Sequence, residues 1–345
     1  MHASASEGAR TGEMLRAALA GLLDGLPARQ AAQATGRLME NYRGRTPTDA
    51  PVLRDRADVV AYAAYRMPAT FEAVRSALEA FRAGAPGWRP GSHVDIGGGT
   101  GAATWATAAA WPGGGRVTTV LDWAEPALAL GRELAGGAGV EGLREVRWQR
   151  QAIGDGLVLP EGTDLVTVSY VLGELTAADR RAVVDEAARI AEAVVLIEPG
   201  TPDGYLRVRE ARERLLAAGL RVVAPCPHGA TCPIEPGADW CHFAARVSRS
   251  SLHRQVKGGS LPYEDEKFAY VAAARFPAAP APAEPADARV VRRPQLRKGQ
   301  VLLDLCALDG LRRETVTKRQ GPRYRAARDA DWGDLWPGPE EGPAG

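Results

Sequence analysis

The chain has 345 residues, 45% of them hydrophobic, which is enough to bury a core without staples as one large domain with appendages or as two domains. Its 43 basic and 42 acidic residues balance to a formal net charge of +1, so any surface for a polyanion has to be local. No run of about 18 apolar residues is present, which excludes a helical membrane span, and the opening MHASASEGARTGEM has no hydrophobic core of a secretory signal, so a reducing cytoplasm is the expected compartment.

In chain order, Leu15, Leu19, Leu22, Leu23 and Leu26 recur at helical spacing and are closed by Pro27. Residues 57–82 read as one or two helices, with Tyr62, Tyr65, Phe71, Val74, Leu78 and Phe81 inward and a break or first turn at Pro68. Residues 1–88 are thus expected to form a helical N-terminal module.

From residue 91 strands and helices alternate. HVDI, RVTTVLD, VRWQRQAI, DLVTVSYVL and AVVLIEP read as strands, separated by the helices TGAATWATAAAW, EPALALGRELA, ADRRAVVDEAARIA and YLRVREARERLLAAG. This order predicts an α/β domain over 89–276 with a parallel, doubly wound sheet. A Pro- and Gly-rich, Cys-containing insertion spans 224–265, and FAYVAAAR is a late strand. The Pro/Ala stretch 277–288 reads as a linker, and 289–338 as a small basic β module with strand-like ARVV and QVLLDLCAL. Between 289 and 328, twelve Lys/Arg face three Asp/Glu, a local net of +9. The excess includes Arg292, Arg293, Arg297, Lys298, Arg312, Arg313, Lys318, Arg319, Arg323 and Arg325, and it predicts salt-dependent binding to RNA phosphates. Arg246, Arg249, Arg254 and Lys257 add to it, and Glu264, Asp265 or Glu266 in LPYEDEKF is expected to organise neighbouring arginines.

Two constellations carry chemistry. Asp95-Ile-Gly-Gly-Gly-Thr-Gly101 ends the first strand, where glycines let the backbone turn sharply and approach a ligand, and the next helix offers free N–H groups. Asp122 ends the second strand, where a carboxylate can accept from two ribose hydroxyls. Asp95, Gly97, Gly99, Gly101 and Asp122 are therefore the cofactor-binding candidates. The loop has the form seen in class I S-adenosylmethionine-dependent methyltransferases; a G-x-G-x-x-A reading (Gly97, Gly99, Ala102) keeps a nicotinamide dinucleotide open as a third possibility. Tyr170 and Glu174 follow the fourth strand as lining candidates, and no Asn/Asp-Pro-Pro-aromatic motif for amine methylation occurs there, so no catalytic residue is assigned.

The second constellation is the chain's only four cysteines. Cys226, Cys232 and Cys241 are spaced C-x5-C-x8-C, and Cys306 follows 64 residues later. Three clustered thiols and one delivered from afar suit a soft metal, zinc or an iron–sulfur cluster; His228 and His242 flank them as substitute ligands or, with four thiols completing the set, as hydrogen-bonding groups.

PCPHGATCPI, DWCHFAARVSRSSLHRQVKGG, LPYEDEKFAYVAAAR, LLDLCALDG and ARDADWGDLWP, with DIGGGTGAATWA, YVLGEL and LIEPGTPDGY, resemble the mitochondrial small-ribosomal-subunit assembly methyltransferase-like family and its bacterial relatives over roughly residues 10–338. The resemblance implies a Rossmann-like fold, S-adenosylmethionine as cofactor, and a partner in the small ribosomal subunit or its precursor, including rRNA. It also implies a 4Fe-4S cluster on Cys226, Cys232, Cys241 and Cys306, with zinc as the alternative. Thr100 stands where relatives often carry proline. Without an evident mitochondrial presequence, the chain reads as a cytoplasmic bacterial relative, with no membrane or DNA partner expected. Two functions follow: a methyltransferase acting on or with the small subunit, or a non-catalytic assembly and RNA-binding factor that retains the fold.

Overall fold

The computed structural model describes residues 2–23, 27–30, 32–34, 36, 56–250, 261–275 and 288–337. Two long helices come first, α1 (His2–Leu23) and α2 (Arg56–Gly84). An alternating stretch follows: β1 (Ser92–Ile96), α3 (Ala102–Ala110), β2 (Val117–Asp122), α4 (Glu125–Gly137), β3 (Arg147–Arg150), β4 (Leu165–Ser169), α5 (Ala177–Ile190), β5 (Ala193–Pro199), α6 (Pro202–Ala217) and β6 (Arg221–Ala224). Then come β7 (Phe243–Ser248) and the twelve-residue β8 (Tyr263–Ala274).

The main sheet runs β3-β2-β1-β4-β5-β8-β6, with β7 paired to β8. β1 to β5 are parallel, but β8 is antiparallel to both β5 and β6. The sheet is therefore mixed, which corrects the wholly parallel expectation. β8, reached by the chain only after β6 and β7, fills the gap between β5 and β6 as a reversed strand. β8 is twice the length its neighbours need: its C-terminal half pairs β5 and β6, and its N-terminal half pairs β7. The register Pro199↔Phe268 and Phe243↔Phe268 makes the β7–β8 ribbon project past the carboxyl end of β5.

The two N-terminal helices share one core with this sheet. Leu15, Leu19, Phe71, Leu78 and Phe81 bury into a cluster with Trp105, Ile197 and Phe268. Pro68 lies inside α2 without breaking it. Its missing N–H costs one bond, while Met67, Ala69, Thr70 and Phe71 around it are all buried, so packing on both sides holds the helix straight through. Leu26 lies outside the described residues, as do Arg254, Lys257 and all of the 277–288 linker but Ala288.

The C-terminal strands β9 (Ala288–Val290), β10 (Gln295–Arg297), β11 (Gln300–Ala307), β12 (Gly310–Thr317) and β13 (Leu335–Trp336) make a second sheet, ordered β10-β11-β9-β13 with β12 on β11. Helix α7 (Pro322–Asp329) covers it, and Val290, Val301, Leu303, Leu305, Val316 and Trp336 form its own core. No helix among the described residues is long and apolar enough to cross a membrane.

Candidate functional site

The glycine loop crosses the carboxyl edge of the sheet between β1 and α3. Gly97, Gly99 and Gly101 all have positive φ, at 64°, 53° and 86°, a region that side chains rarely adopt. Gly97 and Gly98 donate to the Leu121 carbonyl at 2.7 and 3.2 Å, pinning the loop to β2. A Cβ at Gly97 would meet Val171 at 2.1 Å and one at Gly101 would meet Trp148 at 2.7 Å, whereas Gly99 has only the Asp122 carboxylate near it, at 3.7 Å.

The two acids play different parts. Asp122 accepts from the Gly99 N–H at 2.9 Å and from the Ala124 N–H at 2.8 Å, so it ties the two loops that form the crevice. Asp95 is fully enclosed beneath the loop, accepting from Thr104 Oγ1 at 3.1 Å and Thr167 Oγ1 at 2.8 Å. Thr167 in turn accepts from His93 Nε2 at 2.8 Å, since its own proton goes to Asp95. Burial holds His93 neutral, down to about 3, and pushes the Asp95 carboxyl up to about 7.

That shift has a consequence for stability. A carboxyl raised in the fold favours its protonated form there, so its contribution is present at low pH and lost as pH rises from the unfolded value of 3.8 through about 7. Asp95→Asn is expected to stabilise the protein on the order of 3 kcal/mol at pH 8 and clearly less at pH 5. Equal gains in melting temperature at the two pH values would contradict this.

Around the crevice mouth stand Trp123, 43% exposed, and Glu174. The sequence reading did not single out Trp123; an aromatic directly after the strand-ending acid was the available signal. Its indole offers a flat face to a base. Glu174 is pushed up to about 7 by the protein crowding it and by the charges of Asp122 and Glu198, although one side stays open to solvent. An acidic, partly apolar crevice at the carboxyl edge of β1, β2 and β4 suits a nucleoside carrying positive charge.

Tyr170 is tied elsewhere. It is the single non-glycine with positive φ among the described residues, at 60°. Its hydroxyl donates to Glu266 Oε1 at 3.0 Å, Arg66 pairs with the same carboxylate at 3.0 Å, and the Arg66 guanidinium lies 5.5 Å from the ring centroid. The strand end that would face a methyl acceptor is thus held by a tie from α2 to the β7–β8 ribbon. The other two acids of that block also pair with arginines: Glu264 with Arg249 at 2.9 Å, and Asp265 with Arg246 at 2.7 Å.

The four cysteines meet although three leave the main domain and one arrives on β11. All four line one cavity of about 40 Å³, together with Tyr205 and Arg212. Cys226, Cys232 and Cys241 lie on the irregular stretch between β6 and β7, and all four thiols are free. Burial and the neighbouring thiols push Cys241 and Cys306 up, Cys306 to about 12; burial likewise raises Cys226, against the opposing pull of Arg212 and Arg289. Tyr205 Oη lies 3.4 Å from Cys232 Sγ, and His228 Nε2 lies 4.0 Å from Cys306 Sγ. His242 stacks on Trp240 and bonds its carbonyl at 3.4 Å. Among the described residues no three Cys, His, Asp or Glu side chains close into a site for a single metal ion.

Two buried arginines face the cavity. Arg212 donates to the carbonyls of His228 and Ala230 at 3.0 and 2.7 Å, and its Nε has no partner. Arg289 donates to the Pro225 carbonyl at 2.5 Å and the Gly333 carbonyl at 2.7 Å. The partners of both among the described residues are backbone carbonyls, with no carboxylate. Buried cations without anions need a counter-charge. Four soft donors, two uncompensated guanidiniums and an orphaned Nε fit a group bound by thiolates and carrying net negative charge. The same interface also holds without metal bonds: Arg292 pairs with Asp239 at 2.6 Å, and Trp332 packs on His242 and Phe243.

Strand order with a reversed strand between β5 and β6, a glycine loop after β1 and an acid after β2 make this a protein of the class I methyltransferase fold, to which a β module is joined across a thiol-lined cavity. The chain belongs to the Rsm22 family: the family model described as "Mitochondrial small ribosomal subunit Rsm22" matches residues 56–337. It is 31% identical over 294 residues to the human mitochondrial ribosome assembly protein METTL17, covering 80% of this chain and 62% of that protein. It is 31% identical over 182 residues to the fission yeast (Schizosaccharomyces pombe) mitochondrial Rsm22-cox11 tandem protein 2, covering 42% of this chain and 24% of that protein. The chain therefore spans about three fifths of the human relative's length. Solved structures similar in fold include an S-adenosylmethionine-dependent methyltransferase from Aquifex aeolicus, with TM-score 0.40, 15% identity, and 65% of this chain and 100% of that one covered. Magnesium protoporphyrin IX methyltransferase from Synechocystis gives TM-score 0.38 and 14% identity over 69% and 90% of the two chains. The strand order and the loop, rather than these likenesses, define the fold.

Proposed function

We propose that this protein binds S-adenosylmethionine and acts in the assembly of the small ribosomal subunit, in contact with its rRNA, carrying a 4Fe-4S cluster on Cys226, Cys232, Cys241 and Cys306. The observation that carries the reading is the cavity itself, where thiols from two parts of the chain meet beside Arg212 and Arg289. A thiolate-bound cluster supplies the missing anion and cross-links the β module to the methyltransferase fold. Membership of the Rsm22 family and likeness to a ribosome assembly protein support the ribosomal partner. The crevice of Asp122, Gly99 and Trp123 supports the cofactor, whose sulfonium and amino charges suit its acids. Free thiols around the cavity suit a reducing cytoplasm.

Between catalysis and assembly alone, the Tyr170–Glu266–Arg66 tie favours the second. It occupies the strand end where a methyl acceptor would sit and commits Tyr170 and Glu266 to structural contacts. The test is made on anaerobically purified protein. We expect close to four iron and four sulfide per chain with visible absorption, saturable S-adenosylmethionine binding by calorimetry, and no radiolabelled methyl transferred to small-subunit particles. Colourless protein with stoichiometric zinc would replace the cluster by zinc. Methyl transfer at measurable turnover would restore the enzyme.

A further inference from the structure

We infer that the end of the C-terminal sheet remote from the cysteines is an RNA-binding surface, built by Arg297, Lys298, Lys318 and Arg319 and directed at the phosphate backbone. This rests on the ribosomal reading above and assigns to it a particular face.

Local charge alone pointed at ten cations, and the structure separates them. Arg292, Arg293, Arg312, Arg313 and Arg323 pair with Asp239, Asp265, Asp309, Asp304 and Glu314. These pairs lie within the β module or hold it to the body, and their charge is largely spent. Arg297, Lys298, Lys318 and Arg319, and Arg325 on α7, are exposed and have no carboxylate partner among the described residues; the first four lie together.

The topology brings these four together. Lys298 and Gly299 form the turn between β10 and β11, closed by the Arg297↔Gln300 pair. β12 ends opposite Gln300, at Thr317, and the Lys318 N–H donates to the Gly299 carbonyl at 3.0 Å. The four cations therefore crown one end of the sheet. Cys306 and Ala307 lie at the other end of β11, where β9 and β13 meet the body. Across eight residues of strand the two ends stand about 23 Å apart. The cation-bearing end is thus the one remote from the cysteine cavity.

Among the described residues, the strands and turns of this end carry no acid. No Asp or Glu occurs over 288–303 or over 315–328. Gln295, Gln300 and Gln320 lie among the cations, neutral donors of the kind that join Lys and Arg on phosphate oxygens. An acid-free turn cluster reads backbone charge and not sequence, so the contact is strongly salt-dependent.

The full-length protein carrying Arg297→Gln, Lys298→Gln, Lys318→Gln and Arg319→Gln tests this against a control carrying Arg132→Gln, Arg144→Gln, Arg147→Gln and Arg221→Gln, four exposed arginines on the methyltransferase fold. Affinity for transcribed full-length small-subunit rRNA is measured across salt concentrations, with melting temperature as the folding check. For the first variant we expect at least a tenfold loss at 100 mM salt and a log–log salt slope shallower by about 3; the control should keep the wild-type slope. Equal loss in both variants, or none in the first, overturns the assignment. So does unchanged RNA affinity with lost binding to whole subunits, which would mean an acidic protein partner. If the wild type itself binds no RNA, the rRNA reading falls and not merely its location.

Discussion

The Cys306→Ser protein is expected to lose bound iron and sulfide, to melt about 5 °C or more below the wild type, and still to keep its β module folded and docked. Cys306 is the one thiol that β11 contributes to the cavity, so in the proposed cluster its loss removes the link between two separately built cores. Three ligands retain a cluster poorly, and Arg212 and Arg289 are then left buried beside neutral thiols. One or two kcal/mol so exposed, with the lost cross-link, accounts for a shift of this size. Complete detachment is not expected. Arg289 still reaches the Pro225 carbonyl, Arg292 still pairs with Asp239, and Trp332 still packs on Phe243. Amide exchange in β9 and β11 should accelerate without reaching that of an unfolded chain. Retained iron in this variant would show that Cys306 is no ligand; free exchange throughout β9–β13 would show that the metal alone holds the module.

The same region shows what a sequence can and cannot display. Most of the alternating strands from HVDI to AVVLIEP were legible because β1, β2, β4 and β5 are short, largely buried apolar runs between helices, whereas β3 is an exposed edge strand. The reversed β8 was half visible. FAYVAAA is apolar because two neighbours flank it, whereas YEDEK alternates and carries three acids, a pattern explained only by the arginines facing it across space. β7 was hidden in a stretch that composition marks as irregular, and the four-residue β6 just before it was too short to read. The glycine loop and both acids were legible as a motif, but their separate duties were not: an enclosed Asp95 and a loop-tying Asp122 look alike in one dimension. The four cysteines could be grouped by spacing; the buried arginines that make their cavity electrically distinctive could not, since nothing near Arg212 or Arg289 marks either as lacking a carboxylate.

The three positive-φ glycines should part company on substitution. Gly97→Ala drives a Cβ to 2.1 Å from the buried Val171 side chain, which has stiff χ1 and no room to yield, at a φ of 64°. Left-handed strain and overpacking together cost about 2–5 kcal/mol, so this protein should melt about 10 °C lower or fail to accumulate. Gly99 has the same sign of φ but open space beyond it. A side chain there costs only about 1–2 kcal/mol of backbone strain. Gly99→Arg, however, puts a guanidinium beside Asp122, filling the crevice and presenting a cation to a cationic ligand. Calorimetry should find S-adenosylmethionine binding weakened at least a hundredfold in a protein whose melting temperature has fallen only a few degrees. The two glycines thus separate the loop's fold from its proposed purpose: Gly97 is small because Val171 lies against it, and Gly99, on the proposed reading, because a ligand would. Undiminished binding in Gly99→Arg would move the cofactor out of this crevice and leave the loop as a tight turn and nothing more.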